Sequence, residues 1–313
     1  MNLMRSTRRK LLFVVLQLLR IRWINCFLRT LLRLSGQRLP SMVADRFPVS
    51  GDVQIPLPNE RCVVLRTGGR GTIASQIYWR GLQAQEPLTI ELSIRPVPTI
   101  EVVLDGGAST GTFSLIAGAA NKEQSVHALE PVPETFEFLV RNIAANRLES
   151  ILPVQVCVTG HDSEINIDPI QSPALPFQTS VKQGYQGHET LLEIRTTALS
   201  LDSYVASQET KRVGLIKIDA EASDRIVLQR TKEILDRDKP FIICEILYTD
   251  TDHRLEDFFR GSGYRYFRIE KDGLAPRENI AGDSEDLYRN FLFGHESRVE
   301  ELMSVTSVAV AGP

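Results

Sequence analysis

"EVVLDGGASTGTFSLIAG", residues 101–118, passes from a short apolar run through an aspartate and a glycine-rich turn into a second apolar run. An apolar run bounded by glycine reads as a buried strand, and the spacing after Gly111 reads as a helix. Strand, glycine turn and helix in that order open the ligand-binding half of a doubly wound α/β sheet.

The residues that follow keep the rhythm. "SVHALEP" reads as a second strand, and "VPETFEFLVRNIAANRL" as an amphipathic helix with Phe136, Leu139, Val140, Ile143 and Leu148 on its apolar side. "ILPVQVCVTG" reads as a third strand, "VGLIKIDAE" as a fourth, "SDRIVLQRTKEILDRDK" as a helix and "PFIICEIL" as a fifth strand. "YRYFRIE" and "RNFLFG" lack a helix between them and suit an antiparallel pair. Residues 161–190 interrupt the pattern with three prolines and two glycines and read as a long loop that shapes a site. Strands alternating with helices imply a mostly parallel sheet covered on both faces.

In such a sheet the ligand lies at the carboxyl ends of the strands, where the strand order reverses. Gly106, Gly107 and Gly111 follow the first strand, where glycine permits positive φ and close backbone approach. Glu130 follows the second strand, 19 residues past Gly111, a position from which a carboxylate accepts hydrogen bonds from ribose hydroxyls. Gly106-x-Ala108-x-x-Gly111 approximates the dinucleotide fingerprint, so a nicotinamide-dependent oxidoreductase is one reading. Asp105 argues against it, because a carboxylate there repels a pyrophosphate. It suits a ligand with a ribose, no phosphate and positive charge, the profile of S-adenosylmethionine. Asp219, Glu221 and Glu245 add acids at the ends of the fourth and fifth strands.

Taken in order, "VVLDGGASTGTFS", "ALEPVPETFEFLVRNIAAN", "LSLDSY", "LIKIDAEASD", "IICEIL" and "GYRYFRIEKDGLAPR" resemble the FkbM-type methyltransferases, a class I S-adenosylmethionine-dependent family acting on hydroxyl oxygens. The resemblance covers about residues 75–295. It implies a seven-stranded, mostly parallel Rossmann-like sheet with the last strand antiparallel. It also implies a cofactor cradled by Asp105, Gly107, Ala108, Gly111, Glu130 and Pro131, and a sugar or natural-product hydroxyl as acceptor. The family's lysine-isoleucine-aspartate-x-glutamate-glycine-x-glutamate run departs here, with Ala222 and Asp224 at the last glycine and glutamate. That departure keeps open a non-catalytic binding module on the same fold.

Methyl transfer to a hydroxyl gains from a base that removes the proton. Asp219 and Glu221 stand two apart and, on one strand, share a face, so they are the catalytic candidates. The alternative is that Asp219 caps the next helix and Glu221 pairs with Lys217. His161 and His188, in the long loop, are the reserve candidates for the base.

The chain of 313 residues has a net charge of −3, which splits into +9 on residues 1–40 and −12 on the rest. An acidic body is not built to coat nucleic acid. Cys26, Cys62, Cys157 and Cys244 are too scattered for a zinc site or redox pair, and fit a reducing cytoplasm. "RRKLLFVVLQLLRIRWINCFLRTLLRLSG" reads as a long basic helix whose apolar runs are too short to span a membrane. Arg22, Asn25, Arg29 and Arg33 form a polar stripe opposite Ile24, Phe27, Leu28, Leu31 and Leu34. That pattern fits peripheral contact with a membrane surface, and equally a helix packed on the protein's own body. The expected organisation is a basic helical arm at 1–40, a linker and small subdomain at 41–98, the methyltransferase domain at 99–296 and a tail at 297–313.

Overall fold

The computed structural model describes residues 21–44, 47, 49, 51–57, 61–66, 72–82, 100–170, 178–180, 194–208, 211–219, 224–246, 253–270, 273–283 and 288–305. The chain forms two compact units, residues 1–87 with 170–178, and residues 88–169 with 179–313. Residues 1–20 of the expected arm, residues 83–99 and most of 171–193 lie outside the described residues.

The first unit holds helix α1 (Arg22–Leu34), the short α2 (Ser41–Ala44), strands β1 (Val53–Pro56) and β2 (Cys62–Leu65), and α3 (Thr72–Arg80). Within the stretch expected as a linker and small subdomain, β1 and β2 pair antiparallel, Val53 opposite Leu65. Their alternating burial sends Val53, Ile55, Val63 and Leu65 inward, as a two-residue period requires.

The second unit begins with β3 (Val102–Gly106), α4 (Thr112–Ala120), β4 (Ser125–Leu129), α5 (Pro133–Asn146), β5 (Ile151–Val154), β6 (Cys157–Val158), β7 (Ser163–Ile170), β8 (Gln178–Ser180) and β9 (Ile194–Leu199). It continues with α6 (Leu201–Ser207), β10 (Val213–Ile218), α7 (Asp224–Gln229), α8 (Lys232–Asp238), β11 (Phe241–Glu245), α9 (His253–Phe259), β12 (Tyr264–Glu270), β13 (Gly273–Arg277), β14 (Asn290–His295) and α10 (Glu296–Val305).

The central sheet runs β13-β12-β14-β11-β10-β3-β4-β5. The five strands from β11 to β5 are parallel, and β14 enters antiparallel between β11 and β12. This is the expected doubly wound α/β sheet, with the order reversing between β3 and β10. It has eight strands where seven were expected, because β13 folds back on β12 as a hairpin with Phe267 opposite Pro276. Every residue of β3 is buried, as in a strand covered on both faces. The far half of the sheet is filled by aromatic rings, with Phe259 stacked on Phe293 at 5.3 Å and Phe291 and Phe241 fully buried. Burying each such ring stabilises the fold by about 1.5–3 kcal/mol.

Several expected boundaries move. "ILPVQVCVTG" divides, and β6 leaves the central sheet to pair with β9. The expected long loop contains β7, which pairs antiparallel with β9 from Ser163 opposite Ala198 to Ile167 opposite Ile194. Proline and polar residues mask a strand whose partners lie about 30 residues away in sequence. The expected single helix over "SDRIVLQRTKEILDRDK" breaks into α7 and α8 at Thr231. There the buried hydroxyl donates to the carbonyl of Val227 at 2.7 Å, a local bond that competes with the helix ladder. Strand β10 ends at Ile218, so Asp219 lies just beyond it. The start of the expected tail is α10, where the buried Arg298 donates to the carbonyl of Lys239 at 3.0 Å.

Candidate active site

Four carboxylates line the carboxyl ends of four adjacent parallel strands: Glu130 after β4, Asp105 in β3, Asp219 after β10 and Glu245 in β11. The registers align them, with Lys217 opposite Asp105 and Ile218 opposite both Gly106 and Cys244. They therefore gather at the switch point between β3 and β10.

The glycine loop between β3 and α4 is held by its own backbone. Gly107 and Ala108 both donate to the carbonyl of Leu129 at 3.0 Å, and Gly111 donates to that of Ala108 at 2.9 Å. Asp219 donates its N–H to the carbonyl of Gly106 at 2.9 Å, tying the turn to β10. The buried Asn142 of α5 donates its amide to the carbonyl of Thr110 at 2.9 Å. Gly107 (φ 79°), Ser109 (φ 52°) and Gly111 (φ 93°) all adopt positive φ. At Gly111 a side chain is also excluded, because a Cβ would stand 2.6 Å from Cδ1 of Leu139.

Glu130 is almost wholly buried. Its Oε2 accepts from the Ser109 N–H at 2.9 Å and its Oε1 from the Val132 N–H at 3.0 Å. Each oxygen keeps a second lone pair for a ligand hydroxyl. Burial pushes its pKa up to about 7 despite those two bonds. Pro131, the next residue, is partly exposed. An unfolded glutamate titrates near 4.5, so Glu130 contributes stability at low pH that is lost as pH rises from there through about 7.

Asp105 is fully buried. Its Oδ2 accepts from the Ser114 hydroxyl at 2.5 Å, while its Oδ1 has no hydrogen-bond partner. Desolvation raises its pKa, opposed by Lys217 and by the Ser114 bond. The Lys217 ammonium stands 3.2 Å from Oδ2 of Asp219 and 3.9 Å from Oδ1 of Asp105. Lys217 thus pairs with Asp219. Glu221, the partner expected for it in the alternative reading, lies outside the described residues, as do Ala222 and His188. Glu245 faces Arg289 at 3.5 Å, His161 is exposed on the turn after β6, and Asp224 is buried as the first residue of α7.

The alternative sequence reading pairs Lys217 with Glu221, although the sequence also carries a signal for Asp219: a lysine inside the otherwise apolar strand β10, two residues before an aspartate. Such a residue is buried only with charged partners. Ser114 and Asn142 give no comparable signal: Ser114 is a small hydroxyl in the apolar helix α4, and Asn142 is one of several polar residues in α5.

Two raised carboxylates and one lysine leave the switch point short of positive charge. A ligand that brings a cation and ribose hydroxyls fits these groups: the orphaned Oδ1 of Asp105 lacks a hydrogen-bond partner, and Glu130 has lone pairs to offer. A pyrophosphate does not fit them.

The methyltransferase FkbM domain matches this chain over residues 105–266. A relative from Streptomyces tacrolimicus, 31-O-demethyl-FK506 methyltransferase FkbM, is 26% identical across 41% of this chain. The match spans 58% of that relative's length. Among solved structures, methyltransferase FkbM from Methylobacillus flagellatus KT superposes with a TM-score of 0.42 at 13% identity, covering 71% of this chain and 54% of its own. The SAM-dependent methyltransferase from Agrobacterium tumefaciens gives 0.42 at 12%, covering 79% and 71%.

Proposed function

The chain belongs to the methyltransferase FkbM family, which uses S-adenosylmethionine, and on that premise we propose that it methylates a hydroxyl oxygen of a small-molecule or glycan acceptor. The observation that carries this reading is the row of carboxylates at the switch point, with Glu130 across the glycine loop from Asp105. Bound S-adenosylmethionine supplies an electrophilic methyl group on a positively charged sulfur. Glu130 would accept the ribose hydroxyls through its remaining lone pairs. Asp105 supplies negative charge toward the cationic end. The glycine loop lets the backbone approach without a Cβ in the way.

Asp219 is the described carboxylate placed to take the acceptor's proton. Its side chain is partly exposed, and Lys217 fixes one of its oxygens. The other oxygen is the one available to a hydroxyl. Lys217, held between Asp219 and Asp105, orients the first and offsets the charge of the second.

Calorimetry tests the cofactor half of this reading. S-adenosylmethionine or its demethylated product should bind, and NAD should not. Glu130→Ala should weaken binding by about 1.5–3 kcal/mol, the range for a hydrogen bond to a charged group. Affinity should also rise about tenfold between roughly pH 6 and pH 8, as Glu130 ionises, and Glu130→Gln should flatten that rise. NAD binding without a response to S-adenosylmethionine overturns the reading. Incubation with labelled S-adenosylmethionine and cell extract, followed by identification of the labelled product, tests the acceptor: a label on nitrogen, carbon or sulfur removes the hydroxyl assignment.

A further inference from the structure

Helix α1 sits the wrong way round for an ordinary surface helix. An amphipathic helix normally turns its apolar stripe to the core and its polar stripe to water. Here Asn25 is fully buried, and the Arg29 guanidinium lies 4.0 Å above the ring of Tyr78 in α3. The polar stripe is docked through Asn25 and Arg29. Trp23, Phe27, Leu31 and Leu34 then fall on a single outward stripe, exposed by 71, 59, 47 and 81%. Arg33, also exposed, borders that stripe in the last turn, and Arg38 follows.

We propose that this face is a membrane-docking surface that lies flat in the headgroup region of an anionic lipid bilayer. Charge selects the occupant. Residues 1–40 hold nine Lys or Arg and no acid, so the segment carrying the stripe is attracted to an anionic surface, each cation near it adding to the affinity. Chemistry agrees, since a tryptophan among aliphatic residues with arginines on the border is the composition of an interfacial helix. Length decides the posture. Thirteen residues make a helix about 20 Å long, short of the roughly 30 Å of bilayer hydrocarbon, so α1 lies in the surface rather than across it. No helix among the described residues is long and apolar enough to cross a membrane.

The test is co-sedimentation of the full chain with vesicles of equal parts phosphatidylcholine and phosphatidylglycerol, against vesicles of phosphatidylcholine alone. Binding should favour the anionic vesicles and fall steeply toward about 1 M salt, where the screening length shrinks to about 3 Å. Trp23 emission should shift to the blue on binding. The only other tryptophan, Trp79, is buried and supplies a constant background. Phe27→Glu with Leu31→Glu, both on the exposed face, should leave the fold intact and lower vesicle partitioning at least about tenfold. Three results overturn the proposal. The full chain stays in the supernatant, or the double variant sediments as well as the wild type. Alternatively, Trp23 is already blue-shifted and shielded from acrylamide without lipid, which means that residues 1–20 or a second copy of the chain covers the stripe.

Discussion

Gly111→Ala is expected to destabilise the protein by about 2–4 kcal/mol, combining the left-handed backbone penalty with overpacking of a filled core. Two separate causes meet at this position. Its φ of 93° lies where an L side chain is strained. Its missing Cβ is also the space that Cδ1 of Leu139 occupies, and Leu139 is fully buried and has nowhere to withdraw. Gly261 separates the two causes. It has a similar φ of 75°, but a Cβ there would meet nothing within 4 Å, so Gly261→Ala should lose only about 1–2 kcal/mol. Urea unfolding of both variants makes the comparison. Equal losses would mean that Leu139 accommodates the methyl and that the packing argument is wrong. Because the same turn holds the N–H of Ser109 on Glu130, cofactor affinity should fall in Gly111→Ala and not in Gly261→Ala.

Asp219→Asn is expected to lower methyl-transfer turnover by about 10²- to 10⁴-fold, the range for loss of a positioned base, with little change in cofactor affinity. The substitution keeps shape and removes charge. In the proposed arrangement Glu130 and the glycine loop serve the adenosine side at β3 and β4, whereas Asp219 stands across the switch point beside β10. A proton acceptor acts as the hydroxyl proton leaves, so its loss registers in kcat and hardly in binding. Rates and calorimetric affinities for Asp219→Asn and Glu221→Gln, measured side by side, decide the matter. Near-normal turnover in Asp219→Asn passes the role to Glu221 or to the loop histidines. Collapse of affinity instead would mean that Asp219 serves the cationic cofactor.

What the sequence determined by itself was local. Apolar runs such as Val102–Leu104 and Phe241–Cys244, each ended by an acid or a glycine, marked the buried strands. Their alternation with helical spacing identified a doubly wound sheet, and the acids at the strand ends located its ligand edge. Those signals are legible because burial on both faces forces a continuous apolar run, and a ligand edge forces the run to stop at the same end of every strand.

Contacts between distant segments were decided only by the tertiary structure. The insertion of β14 between β11 and β12, the β13 hairpin and the pairing of β7 with β9 depend on which edges remain open once the rest of the sheet has formed. Lys217 is shared between Asp105 and Asp219 because β10 lies against β3, more than a hundred residues earlier in the chain. Helix α1 shows the limit most clearly. Its sequence displayed two stripes, but which one faced inward was set by Tyr78, whose ring receives Arg29 and leaves the apolar side outward. Periodicity reports that a helix has two faces, and only the partner it meets determines which face is buried.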